Sequence, residues 1–238
     1  MRTVDLLWNT RPTLSVGAIS ANLMSLGTEL LLLETHDVRL LHFDIMDGHF
    51  APQLTAGPWF VKAVKTKLLK DVHLMIENPY DAIPLYAAAG ADIITVHAEA
   101  DRYVKAALQR IFSMKNVNDE SRGIACGIAI NPSTPVHAIE PFLPEADIVT
   151  ILGVNPGFGG QAMDKNLVRR VEQIRGMIAQ TGKKVLLCID GGVTSDTIRE
   201  IGALHPDIVV SGSAVFENQA VARNLDLMKR ALHEGRPS

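Results

Sequence analysis

The sequence has little that would direct it to a membrane or a nucleic acid. It contains no run of about 18 apolar residues, so we expect no membrane span. Residues 1–12 lack the apolar core of a signal peptide. The formal net charge is −3, and no stripe of arginine and lysine with interleaved aromatic residues is present. These absences argue against nucleic-acid and anionic-membrane partners.

Cysteine is scarce as well. The two cysteines, Cys126 and Cys188, each lie inside an apolar run. We expect both thiols to be buried and inert. Such sparing use of cysteine suits the reducing cytoplasm, where we expect the protein to reside.

What the sequence does contain is a regular alternation of short apolar runs and amphipathic segments. Of the 238 residues, 47% are hydrophobic and 21% are charged, which is typical of a soluble globular protein. Most of the short runs are apolar on both faces, as strands of a buried parallel sheet are. We predict strands at Thr13–Ile19, Leu40–Met46, Asp71–Ile76, Asp92–His97, Ile124–Ile130, Asp147–Gly153, Lys184–Ile189 and Asp207–Ser211. Helix-like segments between them include Pro79–Ala89, Asp164–Gln180 and Ser195–Ile201.

Eight strand–helix units in succession predict a single (β/α)₈ TIM barrel of class α/β. Strict alternation implies parallel strands joined by right-handed crossovers, and eight units allow the sheet to close. The barrel domain would span residues 1–238, with residues 1–12 as an N-terminal extension. A doubly wound open sheet is the alternative. It more often carries a glycine-rich fingerprint after its first strand, whereas here unusual polar residues end many strands.

Active sites of such barrels lie in the loops after the strands, so the polar residues at strand ends are the candidates. Because side chains alternate along a strand, His42, Asp44 and Met46 share one face of the second strand. Asp71, His73 and Met75 share one face of the third. Asp190 follows the seventh strand. Two histidines and two aspartates converging there predict a divalent metal site of Zn, Fe(II), Mn or Co, although each residue alone is more typical of hydrogen-bonded core or of a helix cap.

Glycine-rich segments follow the last three strands: Asn155–Gln161, Asp190–Gly192 and Ser211–Ser213. Backbone N–H groups of such loops can approach a phosphate closely, and loops at this end of a barrel are its usual binding place. Any one of them could be simple turn chemistry. Together with two carboxylates and a metal, they predict proton removal from one face of a phosphorylated substrate and return to the other.

Six motifs in order resemble the ribulose-phosphate 3-epimerase family. They are LLHFDIMDGHFAPQLTAGP (Leu40–Pro58), DVHLMIENP (Asp71–Pro79), NPSTP (Asn131–Pro135), VNPGFGGQ (Val154–Gln161), IDGGV (Ile189–Val193) and VSGSAVF (Val210–Phe216). The resemblance implies one divalent metal held by His42, Asp44, His73 and Asp190. It implies Asp44 and Asp190 as the acid/base pair at C3, acting through a cis-enediolate. Substrate would also meet the metal-binding histidines, two methionines and the phosphate loops: Met46, Met75, Gly157, Phe158, Gly159, Gly160, Gly191, Gly192, Gly212 and Ser213.

The sequence departs from the family pattern near the substrate. Gly17 stands where the family usually has a serine that touches substrate, and Asn22 replaces an aspartate. Leu152 and Gly153 replace a methionine and a small polar residue. The first expectation is interconversion of D-ribulose 5-phosphate and D-xylulose 5-phosphate, and the alternative is epimerisation of a ketohexose 6-phosphate such as allulose 6-phosphate.

Two other classes compete with an epimerase. A sugar-phosphate lyase or decarboxylase on the same barrel often uses a lysine beside the strand-end aspartates, and none of the strand-end positions above holds one. A catalytically silent binding protein is expected to lose one of the four metal-site residues, and none is lost. The resemblance also implies a homo-oligomer, a dimer or a hexamer.

Overall fold

Eight parallel strands close into a barrel in the computed structural model, which describes residues 2–235. Each strand pairs with the next in sequence, and the first pairs with the last, so the (β/α)₈ prediction is confirmed. The strands are β1 (Thr13–Gly17), β2 (Leu40–Met46), β3 (Leu69–Met75), β4 (Ile93–His97), β5 (Ala125–Ile130), β6 (Ile148–Leu152), β7 (Leu186–Asp190) and β8 (Ile208–Ser211).

Helices surround the barrel and connect its strands. They are α1 (Thr3–Trp8), α2 (Leu26–Thr35), α3 (Pro58–Ala63), α4 (Ile83–Ala88), α5 (Val104–Ser113), α6 (Leu167–Thr181), α7 (Ile198–Ala203), α8 (Ser213–Phe216) and α9 (Val221–Glu234). A 3₁₀ helix, Val136–Phe142, takes the place of an α-helix after β5. Pro141 lies inside it and cannot donate an α-helical hydrogen bond.

Most element ends differ from the sequence predictions by one to three residues. The predicted helix Pro79–Ala89 is divided into a 3₁₀ turn, Pro79–Asp81, and α4. Pro84, in the first turn of α4, lacks the N–H that a continuous helix would need. At the other end of the chain β7 extends through Asp190, so this residue is the last of its strand rather than part of the following loop.

The N-terminal helix α1 lies against the amino ends of the strands. Val4 and Leu7 are buried and join the apolar cluster of the barrel interior. Arg2 donates to the carbonyl of Ile124 and to the carboxylate of Asp147 (3.2 and 2.6 Å). Residues 1–12 therefore cover this end of the barrel, except for Met1, which lies outside the described residues.

The apolar core lies mainly between the strands and the surrounding helices, with a smaller cluster inside the barrel at its amino end. Cys126 belongs to the first and Cys188 to the second, and both are free and buried, as predicted. Of the helices in residues 2–235, none combines the length and hydrophobicity that a membrane span requires. At the carboxyl ends of the strands, by contrast, polar residues line a cavity.

Candidate active site

Strand register brings the predicted metal-site residues together. In the parallel pairing of β2 with β3, His42 is opposite Asp71 and Asp44 is opposite His73. Residues in register on one face of a sheet are close neighbours. Asp190 reaches the same place from β7. The cluster forms because the polar residues of the neighbouring strands β2 and β3 point into the barrel at the same level, where Asp190 of β7 meets them.

The four residues contribute one ligand atom each, all within 4.8 Å of one another: His42, Asp44, His73 and Asp190. His42 Nε2 is 3.1 Å from Asp44 Oδ1 and 3.6 Å from Asp190 Oδ2. His73 Nδ1 is 3.1 Å from Asp190 Oδ2 and 3.8 Å from Asp44 Oδ1. The two histidines thus face both carboxylates with different ring nitrogens.

The donor set and its spacing fit a divalent metal ion. A tetrahedral ion with nitrogen and oxygen ligands at about 2.1 Å holds neighbouring ligand atoms about 3.4 Å apart. The four distances from 3.1 to 3.8 Å bracket this spacing. Imidazole with carboxylate suits Zn, Fe(II), Mn and Co alike. The cluster could therefore hold a divalent ion without selecting one metal.

Each histidine also uses its outer nitrogen. His42 Nδ1 lies 2.8 Å from Asp71 Oδ2, which also accepts a hydrogen bond of 2.9 Å from the Ser15 hydroxyl. His73 Nε2 lies 2.9 Å from Nε2 of His97 at the end of β4. These outward contacts turn His42 Nε2 and His73 Nδ1 towards the two aspartates.

Burial and charge act against each other at this cluster. Burial by itself would lower the pKa of His42, but the carboxylates of Asp71, Asp44 and Asp190 raise that pKa well above its usual range. Burial would raise the pKa of Asp44, but the charge and hydrogen bond of His42 bring it below its ordinary value. Asp44 is consequently ionised at neutral pH, as a metal ligand or a base must be.

The residues beyond His73 form a second polar pair. Burial lowers the pKa of His97 to about 4, despite its contact with Glu99. Burial would raise the pKa of Glu99, but the hydrogen bond with His97 and bonds from Thr134 and Asn131 lower it to about 2. At neutral pH the pair is a neutral imidazole beside a carboxylate.

A cavity of about 420 Å³ opens above the cluster at the carboxyl ends of the strands. Asp44 and Asp190 line it, together with Met46 and Met75. All the predicted phosphate-loop residues line it too: Gly157, Phe158, Gly159, Gly160, Gly191, Gly192, Gly212 and Ser213. His42 and His73, predicted to meet substrate, are buried beneath the wall and do not form part of it. The structure thus joins the glycine-rich loops and the two aspartates in one space.

Two of the glycines are required where they stand. Gly191 has a φ of +86°, and a Cβ there would lie 2.7 Å from Val154 Cγ2. A Cβ on Gly153 would lie 2.5 Å from the Gly191 carbonyl oxygen. Gly153, a departure from the family pattern, therefore allows close approach of the loops after β6 and β7.

Two of the other departures, Gly17 and Leu152, line the cavity. Gly17 lines the cavity, and a Cβ there would be 3.3 Å from Gly212 Cα. Leu152 is buried in register with Asp190. Asn22 instead has a local contact: its side-chain oxygen accepts a hydrogen bond from the backbone N–H of Met24. Gly17 makes this part of the wall less polar than a serine would, whereas Leu152 exchanges one apolar residue for another.

Asp47 does not belong to the cluster, in keeping with its position one residue out of phase with the interior. One carboxylate oxygen accepts hydrogen bonds from the amides of His49 and Phe50, both 2.9 Å. The other accepts from the amide of Glu77, also at 2.9 Å. Asp47 ties the loop after β2 to the loop after β3.

The sequence argument missed His97 and Glu99 and gave Asp71 no role. Asp71 was visible on the interior face of β3 beside His73. His97 is the last residue of β4. The other candidates were chosen because they lie at strand ends, so the same criterion could have found His97. Nothing in the sequence showed that its ring would meet the His73 ring.

Comparison with known proteins agrees with this geometry. The model of the "Ribulose-phosphate 3 epimerase family" matches residues 13–216. The chain is 40% identical over 201 residues to the ribulose-phosphate 3-epimerase of Bacillus subtilis, covering 83% of this chain and 89% of that protein. It is 34% identical over 217 residues to that of Escherichia coli K12, covering 90% and 93%.

Solved structures with low identity share the fold. A 3-hexulose-6-phosphate synthase from Salmonella typhimurium superposes with a TM-score of 0.64 at 17% identity, covering 94% of this chain and all of the other. A 3-keto-L-gulonate-6-phosphate decarboxylase from Vibrio cholerae gives 0.65 at 12% identity, covering 95% and 100%. At these identities the likeness concerns the barrel alone. The family model and the sequence relatives go further, and with them the chain belongs to the ribulose-phosphate 3-epimerase family.

Proposed function

We propose that the protein is a metal-dependent 3-epimerase that interconverts D-ribulose 5-phosphate and D-xylulose 5-phosphate. The observation that carries the proposal is the placement of Asp44 and Asp190 in one cavity, each within ligand distance of both buried histidines. The names of the sequence relatives support the pentose phosphate as substrate.

Two carboxylates from separate strands can serve opposite faces of one carbon. Asp44 lies near the carboxyl end of β2 and Asp190 is the last residue of β7, and β8 and β1 lie between these strands. A carboxylate on one face removes the C3 proton, and a carboxylic acid on the other face returns one, which inverts the configuration. The same pair exchanges roles in the reverse direction.

His42, Asp44, His73 and Asp190 would hold the divalent ion. When bound there, the ion supplies electrostatic stabilisation of the negative charge that develops on the substrate oxygen during proton removal. The residues of the chain do the rest. Asp44 and Asp190 move the proton, and Met46 and Met75 give the cavity wall beside them apolar side chains.

The glycine-rich loops after β6, β7 and β8 would bind the phosphate through backbone N–H groups. They line the same cavity as the two aspartates, so a phosphate bound by the loops keeps the sugar carbons in the space that the aspartates reach. Binding energy from the phosphate then orients C3 without taking part in the chemistry. No lysine is among the described residues that line this cavity, which disfavours a lysine-assisted decarboxylase.

The test is direct conversion of ribulose 5-phosphate by purified, metal-loaded protein, followed by an assay specific for xylulose 5-phosphate. Allulose 6-phosphate, assayed in parallel, measures the effect of Gly17 and Leu152 on sugar size. The proposal expects the larger kcat/KM for the pentose phosphate. A preparation with full metal occupancy that leaves ribulose 5-phosphate unchanged contradicts it.

We further infer that the protein assembles as a homo-oligomer, a dimer or a hexamer, in the cytoplasm. The family resemblance supports the assembly, and the two free, buried thiols support a reducing compartment. Sedimentation velocity of the purified protein measures the oligomeric state, and a monomer at micromolar concentration contradicts this part.

A further inference from the structure

A further histidine, His97, contacts His73 on the side of its ring that faces away from the two aspartates. His97 Nε2 lies 2.9 Å from His73 Nε2, and the two rings are nearly parallel, with centroids 5.0 Å apart and an interplanar angle of 9°. Both rings are fully buried. Phe50 packs on His97 from another direction, with ring centroids 4.6 Å apart.

A carboxylate completes the chain of contacts. His97 Nδ1 lies 3.1 Å from Glu99 Oε2. The other oxygen of Glu99 accepts hydrogen bonds from the Asn131 amide (2.8 Å) and from the Thr134 hydroxyl. Glu99 is thus fixed by the loop after β5, and through it the orientation of the His97 ring is fixed too.

The contacts allow one arrangement of protons when His73 acts as a ligand. His97 Nδ1 faces a carboxylate and so carries a hydrogen to donate. Two nitrogens 2.9 Å apart need one hydrogen between them. His73 Nδ1, which faces Asp44 and Asp190, must be bare to ligate an ion. His73 therefore carries its hydrogen on Nε2, and His97 Nε2 is the acceptor.

We propose that His97 and Glu99 are positioning residues that hold the His73 ring in the orientation and tautomer that present Nδ1 to the metal. This role rests on the proposed function, because it acts on the same metal site. It differs from the arrangement at His42, whose outer nitrogen meets the carboxylate of Asp71 directly. For His73 the carboxylate lies one imidazole further away, and the strand β4 becomes part of the metal site.

The experiment measures metal affinity without substrate. The Kd for Zn²⁺ is determined by competition with a chromogenic chelator for wild type, His97→Leu, His97→Gln and the control Ile94→Val. Leucine removes the acceptor, whereas glutamine keeps an acceptor oxygen. Ile94 is buried in the same strand, three residues before His97, and packs in the apolar core between the strands and the surrounding helices. Long-range ¹H–¹⁵N NMR spectra of the zinc-loaded proteins report which nitrogen of His73 carries the hydrogen.

We expect His97→Leu to weaken Zn²⁺ binding by about 10- to 100-fold, the usual effect of losing the partner of a ligating histidine. His97→Gln should recover part of the loss, and the Kd of Ile94→Val should stay within about threefold of that of wild type. Wild-type spectra should show the Nε2–H form of His73. If His97→Leu unfolds, His97→Gln and Glu99→Gln are measured in its place. Each should have a Kd above that of wild type and below that expected for His97→Leu.

Three outcomes overturn the inference, and they are of two distinct kinds. An unchanged Kd in folded His97→Leu, or a His73 whose hydrogen is on Nδ1 in zinc-loaded wild type, removes the positioning role and leaves the epimerase proposal intact. Failure of wild type to bind a divalent ion removes the metal site itself, and with it both proposals.

Discussion

The carboxylates of Asp44 and Asp190 come from β2 and β7, yet they offer oxygens within 4.8 Å of each other and of two histidine nitrogens. Barrel closure causes this convergence, because only a closed sheet turns the interior faces of these strands towards one point. A single site thus brings together two carboxylates and two imidazoles that could hold a metal ion.

Removal of the metal should abolish epimerisation. Treatment with a strong chelator, followed by elemental analysis to show a metal-free protein, should leave no measurable turnover. Addition of Zn, Mn, Co or Fe(II) should restore at least part of it, because the mixed imidazole and carboxylate ligands accept each of these ions. Full activity in metal-free protein would contradict the prediction.

Each aspartate should be necessary for the proton transfer. Asp44→Asn and Asp190→Asn should each lower kcat by at least about 100-fold, the lower end of general acid–base contributions. Steady-state kinetics at matched metal occupancy measure the effect, since both residues are also proposed ligands. Asp47→Asn is the matched control. Its carboxylate bonds only loop amides, and an effect as large as that of Asp44→Asn would show the role assignment to be wrong.

Loss of the phosphate should cost most of the specificity. Unphosphorylated ribulose should have a much smaller kcat/KM than ribulose 5-phosphate, because phosphate binding in the glycine-rich loops orients the sugar. Gly212→Ala should raise KM, since its Cβ would lie 2.3 Å from Ser20 Oγ. Gly176→Ala in α6, with nothing within 4 Å, is the control. Equal kcat/KM for the two sugars would exclude this phosphate site.

The buried thiols should make stability fall at alkaline pH. Burial raises the pKa of Cys126 and of Cys188 above the usual range of a thiol. Above pH of about 8.5 the unfolded chain loses these protons while the folded protein keeps them, so the free energy of unfolding decreases as pH rises.

Denaturant unfolding between pH 7 and pH 9.5 measures this decrease. The double variant Cys126→Ala, Cys188→Ala should show a shallower decline than wild type, whatever its stability at pH 7. Both thiols of the folded wild type should resist a thiol reagent and react after unfolding. An equal pH dependence in the two proteins would contradict the assignment.

The sequence alone predicted the barrel because its strands carry a strong local signal. β2 was predicted with the bounds that it has, and its period-two pattern placed His42 and Asp44 on one face. The ligand cluster followed from the rule that barrel sites lie at the carboxyl ends of strands. These features depend on local pattern and on fold topology, both of which a sequence contains.

The rest depended on contacts between distant elements. The His73–His97 contact depends on the register of β3 against β4. The hydrogen bond that Glu99 accepts from the backbone N–H of Asn131 depends on the conformation of the loop after β5. The packing of Val4 and Leu7 against the amino end of the barrel could not be predicted, because the sequence does not show which end of the barrel needs further apolar side chains. Helix bounds were the least certain, because turns such as Pro79–Asp81 form from local hydrogen bonds that no apolar period reveals.

The most direct test of the central claim is incorporation of solvent deuterium at C3. Metal-loaded protein is incubated with ribulose 5-phosphate in deuterated water, and ¹H NMR follows the C3 proton of both pentose phosphates. The two-aspartate account predicts loss of the C3 proton signal together with formation of xylulose 5-phosphate, and neither change in the metal-free protein. Formation of xylulose 5-phosphate that retains the original C3 proton throughout, or no exchange in protein with full metal occupancy, would contradict it.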